Sequence, residues 1–171
     1  MKNTYLKTAA LAVVLSTTAT VANARSPQHE EKTQAVDSSA TAEPTSSTLV
    51  VHKSPYCGCC ELWIKHMRDA GFAVEVRNVQ SVHPVKERLG VPPTKGSCHT
   101  AQVGGYFIEG HVPAGDVKRL LAERPDARGL AVPGMPKGSP GMEVPDGTVD
   151  PYTVELVAKD GSTTPFAQHG N

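Results

Sequence analysis

Three of the chain's four cysteines stand in a single run, Cys57-Gly58-Cys59-Cys60. A strand-like stretch, Leu49-Val50-Val51-His52, comes before them and a helix-like stretch, Glu61 to Met67, comes after. The sulfurs are therefore predicted to sit on a strand-to-helix turn. There the positive end of the helix dipole favours negative charge, and so favours thiolate over thiol. Thiolate is the form that attacks disulfides and binds soft metals. A chain that places three sulfurs on one turn must fold so as to use or protect them.

The N-terminus bears on what those sulfurs meet. Lys2 and Lys7 precede and flank an apolar run, Ala9 to Leu15, and Ala22-Asn23-Ala24 has the small-x-small form of a cleavage site. This reads as a secretory signal peptide over residues 1–24, cleaved after Ala24, and places the mature chain in the periplasm. The apolar run is shorter than the roughly 20 residues a membrane span needs. Outside the cytoplasm disulfides persist, but adjacent cysteines bridge only with strain, and a structural framework would staple distant segments. The crowding points instead to metal or redox chemistry.

The full chain carries 17 basic and 17 acidic residues, and losing Lys2 and Lys7 with the signal peptide leaves 15 basic against 17 acidic. This balance gives no basis for nucleic-acid binding. Residues 25–47 are rich in Ser, Thr, Ala, Glu and Gln without periodicity, and read as a disordered tether; His29 is a tail histidine there. Residues 48–171 form the predicted domain.

Within that domain, Thr48 to His52 is predicted as the first strand. Cys60, Trp63, Ile64 and Met67 share one helix face, so a helix runs from Cys59 to Ala70, with Met67 in its core stripe, His66 in solvent and Gly71 as its stop. Phe72 to Asn78 alternates as a strand. Pro84 to Leu89 forms a short helix ended by Gly90, and Val91 to Thr94 is extended because residues before proline avoid helix. Lys95 to Val103 enters a strand, Gly104-Gly105 turns, and Tyr106 to Glu109 returns. A helix follows from Ala114 to Glu123, then a Gly/Pro loop from Arg128 to Pro145. Tyr152 to Ala158 is a late strand, and Phe166 lies on a short return strand. The order strand, helix, strand, helix, strand, strand, helix, with Cys57 and Cys60 in Cys-x-x-Cys spacing after the first strand, fits an α/β, thioredoxin-like fold: a central mixed sheet flanked by helices.

Several segments together resemble one known group. They are Ser54-Pro55-Tyr56-Cys57-Gly58-Cys59-Cys60, Gly90-Val91-Pro92, Ser97-Cys98-His99-Thr100-Ala101, Gly110-His111-Val112-Pro113, Pro133-Gly134-Met135-Pro136 and Ser139-Pro140-Gly141-Met142-Glu143. In this order they resemble the periplasmic copper-resistance proteins of the CopG type, long catalogued as a domain of unknown function. The resemblance spans about Leu49 to Glu143. It implies a thioredoxin-like fold and cysteine-bound copper, with several Cu(I) ions bridged by thiolates as one form of it. Copper ions and other periplasmic copper-resistance proteins are the partners it implies.

The residues themselves support a soft-metal site without fixing its stoichiometry. Thiolates select Cu(I) and also Zn(II). A thioredoxin-like arrangement brings the loop after the second helix toward the cysteine turn, which adds Cys98 to Cys57, Cys59 and Cys60. His99, His111, Met142 and Met135 are secondary candidates. Strand alternation would point His99 away from Cys98, and His111 serves equally well as a cap or backbone partner. The two methionines lie on a loop where core packing explains them less well than it explains Met67. His52 and His83 are read as structural. The rival reading is a thiol-disulfide oxidoreductase acting through Cys57 and Cys60, with Cys98 as a resolving thiol. A purely structural disulfide is the third. No Ser-His-Asp order, phosphate loop or paired-carboxylate site is evident, so electron transfer or copper redox cycling at the thiolates is the one enzymatic activity on offer.

Overall fold

The computed structural model of the protein describes residues 48–170. The predicted signal peptide and tether fall outside the described residues. Seven strands form one mixed sheet: β1 (Leu49–Lys53), β2 (Val74–Asn78), β3 (His99–Val103), β4 (Tyr106–Glu109), β5 (Ala127–Ala131), β6 (Tyr152–Ala158) and β7 (Thr163–His169). Three α-helices interrupt them: α1 (Gly58–Asp69), α2 (His83–Leu89) and α3 (Ala114–Glu123). The strand order is β2-β1-β3-β4-β5-β6-β7. Strands β1 and β2 pair in parallel around α1, and β4 and β5 pair in parallel around α3; the other neighbours are antiparallel. A parallel pair needs a crossover, and each helix supplies one.

Alternation along the strands sorts the side chains onto two faces. On one face Leu49, Val51, Ala101 and Ile108 meet Trp63, Ile64 and Met67 of α1 and Val117 and Leu120 of α3 in the main core. The stripe Cys60, Trp63, Ile64 and Met67 is fully buried, as its helical spacing predicts. Burying such a stripe is what stabilises the helix, and it fixes where the preceding cysteine turn sits. On the other face Phe107, Ala131 and Val157 pack with Val91 and, at the edge, Leu89 from the end of α2.

Four local expectations are corrected. Residues 128–131 are not loop; they belong to β5 between β4 and β6. Gly129 reads as a breaker in the sequence, but here it permits a close approach: a Cβ on it would lie 2.0 Å from the Phe107 carbonyl oxygen. The short return strand around Phe166 is the full strand β7, which tolerates Pro165 because it lies at the sheet edge, where a missing N–H is affordable. Residues 91–94 are only partly extended: Pro92 is, but Pro93–Lys95 forms a 3-10 turn. His66 is half-buried rather than solvated, because its Nε2 accepts the Ala114 N–H at 3.1 Å. That N–H belongs to the first turn of α3, has no partner within its own helix, and needs an acceptor from elsewhere.

Candidate metal centre

Cys57 is the N-cap of α1, and no side chain caps the helix. The Cys57, Cys59 and Cys60 positions therefore lie in the N-cap and first turn, at the positive end of the helix. Cys57 and Cys60 are joined in a disulfide, and Cys59 and Cys98 are free thiols. Cys59 Sγ lies 3.5 Å from Cys57 Sγ and 3.8 Å from Cys98 Sγ, and Cys98 Sγ lies 3.5 Å from Cys60 Sγ. All four sulfurs fall within 4.8 Å of one another. Cys60 is fully buried, while the other three are half-buried.

Cys98 belongs to a second group, with His99 and His111, whose ligating atoms also lie within 4.8 Å of one another. His111 Nε2 is 3.1 Å from Cys98 Sγ, and His111 Nδ1 is 2.8 Å from the Pro140 carbonyl oxygen. A carbonyl can only accept, so Nδ1 carries the proton and Nε2 presents its lone pair to the sulfur. His111 thus plays both roles open to it in the sequence, backbone partner and neighbour of the site. His99 corrects the alternation argument. Cys98 precedes β3 rather than lying within it, so the two side chains do not alternate, and His99 Nδ1 sits 3.3 Å from Cys98 Sγ. The His99 ring rests on Trp63, with centroids 4.4 Å apart, and meets His111 edge-on at 5.2 Å. Its Nε2 is buried without a hydrogen-bond partner among the described residues.

The surroundings keep these groups uncharged. Burial, then the neighbouring Cys59, pushes the Cys98 thiol up to about 12. Burial first, then His111 and Lys86, holds His99 well below the usual imidazole range, and burial lowers His111 as well. Without a cation, Cys98 is a neutral thiol facing two neutral imidazoles. A soft cation would supply the positive charge that makes thiolate favourable there.

The segment carrying Cys98 is held by a buried polar cluster that sequence reading missed. Glu109 is fully buried on β4 and pairs with Lys86 of α2. Its carboxylate also accepts the Ser97 N–H at 2.5 Å and the Thr100 hydroxyl at 2.6 Å. Lys86 Nζ donates to Thr100 Oγ1 at 2.8 Å. Residues on both sides of Cys98 are thereby tied to one carboxylate. The only sequence signal was an acidic residue closing the otherwise apolar strand Tyr106-Phe107-Ile108-Glu109. Lys53, at the end of β1, is also buried; its ammonium pairs with Glu61 of α1 at 2.6 Å.

Residues 133–143 form a strap across the turn. The Gly134 carbonyl accepts the Ser97 hydroxyl at 2.5 Å, Pro140 holds His111, and Gly141 lies against the first turns of α1. A Cβ on Gly141 would come within 2.6 Å of the Cys59 carbonyl oxygen and 2.8 Å of Trp63 N. Met142 is half-buried on this strap and Met135 is 52% exposed. His52 is buried on β1, and His83 lies at the start of α2, where it meets Glu87.

A protein-family model described as a protein of unknown function, DUF411, matches residues 95–142, which include Cys98, His99, His111 and all of the strap but Glu143. No curated protein matches the chain. Two solved structures of a copper resistance protein CopG, Form 1 and Form 2, are each 46% identical to it over 72% of this chain and 98% of theirs, with a TM-score of 0.68. With near-complete coverage of that protein at this identity, the chain belongs to the CopG copper-resistance protein family.

Proposed function

We propose that the protein is a periplasmic Cu(I)-binding protein of copper resistance, holding the ion through Cys57, Cys59, Cys60 and Cys98 once the Cys57–Cys60 disulfide is reduced. The observation that carries this reading is the meeting of four sulfurs within 4.8 Å from segments some forty residues apart in the chain. Thiolates are the ligands that select Cu(I) over harder ions, and four in so small a volume can bridge more than one ion. His111 and His99 offer neutral nitrogen donors beside Cys98, and Met142 and Met135 offer thioethers on the strap. The names of the 46%-identical relatives support copper as the cargo. The order of the first four strands, β2-β1-β3-β4, with α1 between β1 and β2, supports reading that part of the sheet as a thioredoxin-like unit. The signal peptide and the tether at residues 25–47 belong to the same proposal. Anaerobic Cu(I) titration of the chemically reduced mature chain, with metal analysis and thiol counting, tests it. Cu(I) should bind with all four thiols engaged, and Cys59→Ser should lower the stoichiometry. Unchanged stoichiometry in Cys59→Ser sinks the four-thiolate reading.

One observation favours a second reading. Cys57 and Cys60 are oxidised to a disulfide here, with Cys98 Sγ 3.5 Å from Cys60, as a thiol-disulfide oxidoreductase with a resolving thiol requires. Brisk reduction of insulin disulfides by the reduced chain, surviving Cys59→Ser, would establish it. The two readings are compatible: oxidation of the pair removes two thiolates and releases the cargo, and reduction restores them.

A further inference from the structure

Four large hydrophobic side chains stand exposed among the described residues: Tyr56, Leu62, Met135 and Val149. The first three are each linked to one of the three half-buried cysteines by the chain, by helical spacing or by a neighbour's hydrogen bond. Tyr56, 92% exposed, immediately precedes Cys57. Leu62 stands one helical turn after Cys59 on the same side of α1. Met135 follows Gly134, whose carbonyl is bonded to Ser97, the neighbour of Cys98. Cys60, the one cysteine without such a neighbour, has no exposed surface. Exposed apolar side chains that flank reactive sulfurs in this way suit a protein-docking surface, and a hydrated ion gains nothing from them.

The disulfide identifies the occupant. Thiol exchange among Cys57, Cys59, Cys60 and Cys98 moves the disulfide within the chain but leaves the number of thiols unchanged. Two electrons must come from outside before four thiolates exist. We propose that Tyr56, Leu62 and Met135 form a docking collar for a protein that presents an exposed dithiol and reduces the Cys57–Cys60 disulfide by attack on Cys57. This rests on the Cu(I)-thiolate reading, since it explains how the oxidised site becomes competent to hold the ion. The partner's thiolate attacks Cys57 Sγ, the Cys57–Cys60 bond breaks, and a mixed disulfide forms between the partner and Cys57. Cys60 leaves as thiolate with the Cys98 thiol 3.5 Å away to hydrogen-bond it, and then takes a proton from water. The partner's second thiol loses its proton to water and attacks its own sulfur in the mixed disulfide, releasing Cys57. The partner ends as a disulfide, and Cys57 and Cys60 have gained two electrons. Attack at Cys57 rather than Cys60 follows from burial, because an attacking sulfur must reach the bond along its axis.

The test uses the oxidised mature chain, reduced thioredoxin as the dithiol protein, and dithiothreitol as a dithiol too small to use a collar. The double variant Tyr56→Ser/Leu62→Ser should be reduced by thioredoxin at least about ten-fold more slowly than the parent, the scale of losing an interfacial aromatic anchor. Its reduction by dithiothreitol should stay unchanged. A single-cysteine thioredoxin, quenched with acid, should be found disulfide-bonded to Cys57. Equal rates with thioredoxin, equal slowing by both reductants, or a mixed disulfide at any other cysteine overturns the collar. Cu(I) titration of both chains after chemical reduction separates the two proposals. If neither chain binds Cu(I), the function reading fails, whatever the reduction rates. If both bind it and thioredoxin does not distinguish them, the collar alone fails.

Discussion

The two halves of the sulfur cluster are held in place by different physics. Cys57, Cys59 and Cys60 ride on the start of α1, and α1 is located by an apolar stripe buried in the main core. Cys98 lies in an irregular segment before β3 and is located by hydrogen bonds to a buried carboxylate. Apolar burial is non-directional and tolerates small shifts, whereas hydrogen bonds fix distances to a few tenths of an ångström and leave a costly orphan when one partner goes. The half that brings three sulfurs is therefore robust. The half that completes the set is specified by direction and is easier to misplace without unfolding the chain.

Breaking the helical half should cost most. Trp63 is fully buried, packs at a tilt against the His99 ring and donates its indole N–H to the Val112 carbonyl at 2.9 Å. Trp63→Ala should destabilise the metal-free protein by about 4 kcal/mol in denaturant unfolding, the range for removing a large buried aromatic. Cu(I) binding should weaken only through the loss of folded protein, plus whatever freedom His99 gains.

On the Cys98 side, stability and positioning can be separated. Glu109→Ala leaves the Lys86 ammonium mostly buried and unpaired, and should cost about 3 kcal/mol. Replacing both partners, as Lys86→Met with Glu109→Leu, should recover only part of that loss: it removes the unpaired buried charge, but leaves the Ser97 N–H and the buried Thr100 hydroxyl without their acceptor. The double variant should nonetheless bind Cu(I) about ten-fold more weakly, since the Ser97 N–H and the Thr100 hydroxyl lose their anchor and outer-shell partners commonly carry that much. Full recovery of affinity would show that the strap and β3 place Cys98 unaided.

This contrast also explains what could be read from the chain beforehand. Cys60, Trp63, Ile64 and Met67 repeat at helical spacing, so α1, its buried face and the place of the cysteine turn were all legible. Gly90 and Gly104-Gly105 marked their turns in the same local way. Strand β5 was not legible, because Gly129 is required by contact with β4, a partner some twenty residues away. The role of Glu109 was equally hidden: it serves Ser97 and Lys86, and no spacing rule links those three. His99 was judged by a strand rule, but the strand begins one residue after the cysteine. Periodicity reports what an element does with its own neighbours. A site assembled from separate segments needs the register between them.

The strap allows a finer comparison. Gly141 and Gly134 both have positive φ, 86° and 72°. A methyl group on Gly134 would meet nothing within 4 Å, whereas one on Gly141 would press on the backbone of α1 beside Cys59. Gly134→Ala should cost about 1 kcal/mol from conformation alone. Gly141→Ala should cost about 2 kcal/mol and lift the strap, seen as faster proteolysis between residues 133 and 143. Equal effects would mean that the strap does not bear on α1 in solution.

The smallest effect comes from acid, and it tests whether the imidazole side of Cys98 is as dry as its packing suggests. His99 and His111 are both held below the usual imidazole pKa by burial, and His99 also faces Lys86, Lys53 and His111 itself. A folded-state pKa below the unfolded value of 6.5 means that the unfolded chain binds the proton first. Stability is then complete above about pH 6.5 and falls as pH drops toward the folded-state values. Each such histidine contributes a slope of at most about 1.4 kcal/mol per pH unit, so between pH 6.5 and 5.5 the loss attributable to His99 should be close to 1 kcal/mol. His99→Gln should flatten that limb of the stability curve by about one proton, whatever its effect on the absolute stability. An unchanged slope would mean that water reaches the ring and that His99 protonates in the folded state as readily as in the unfolded chain.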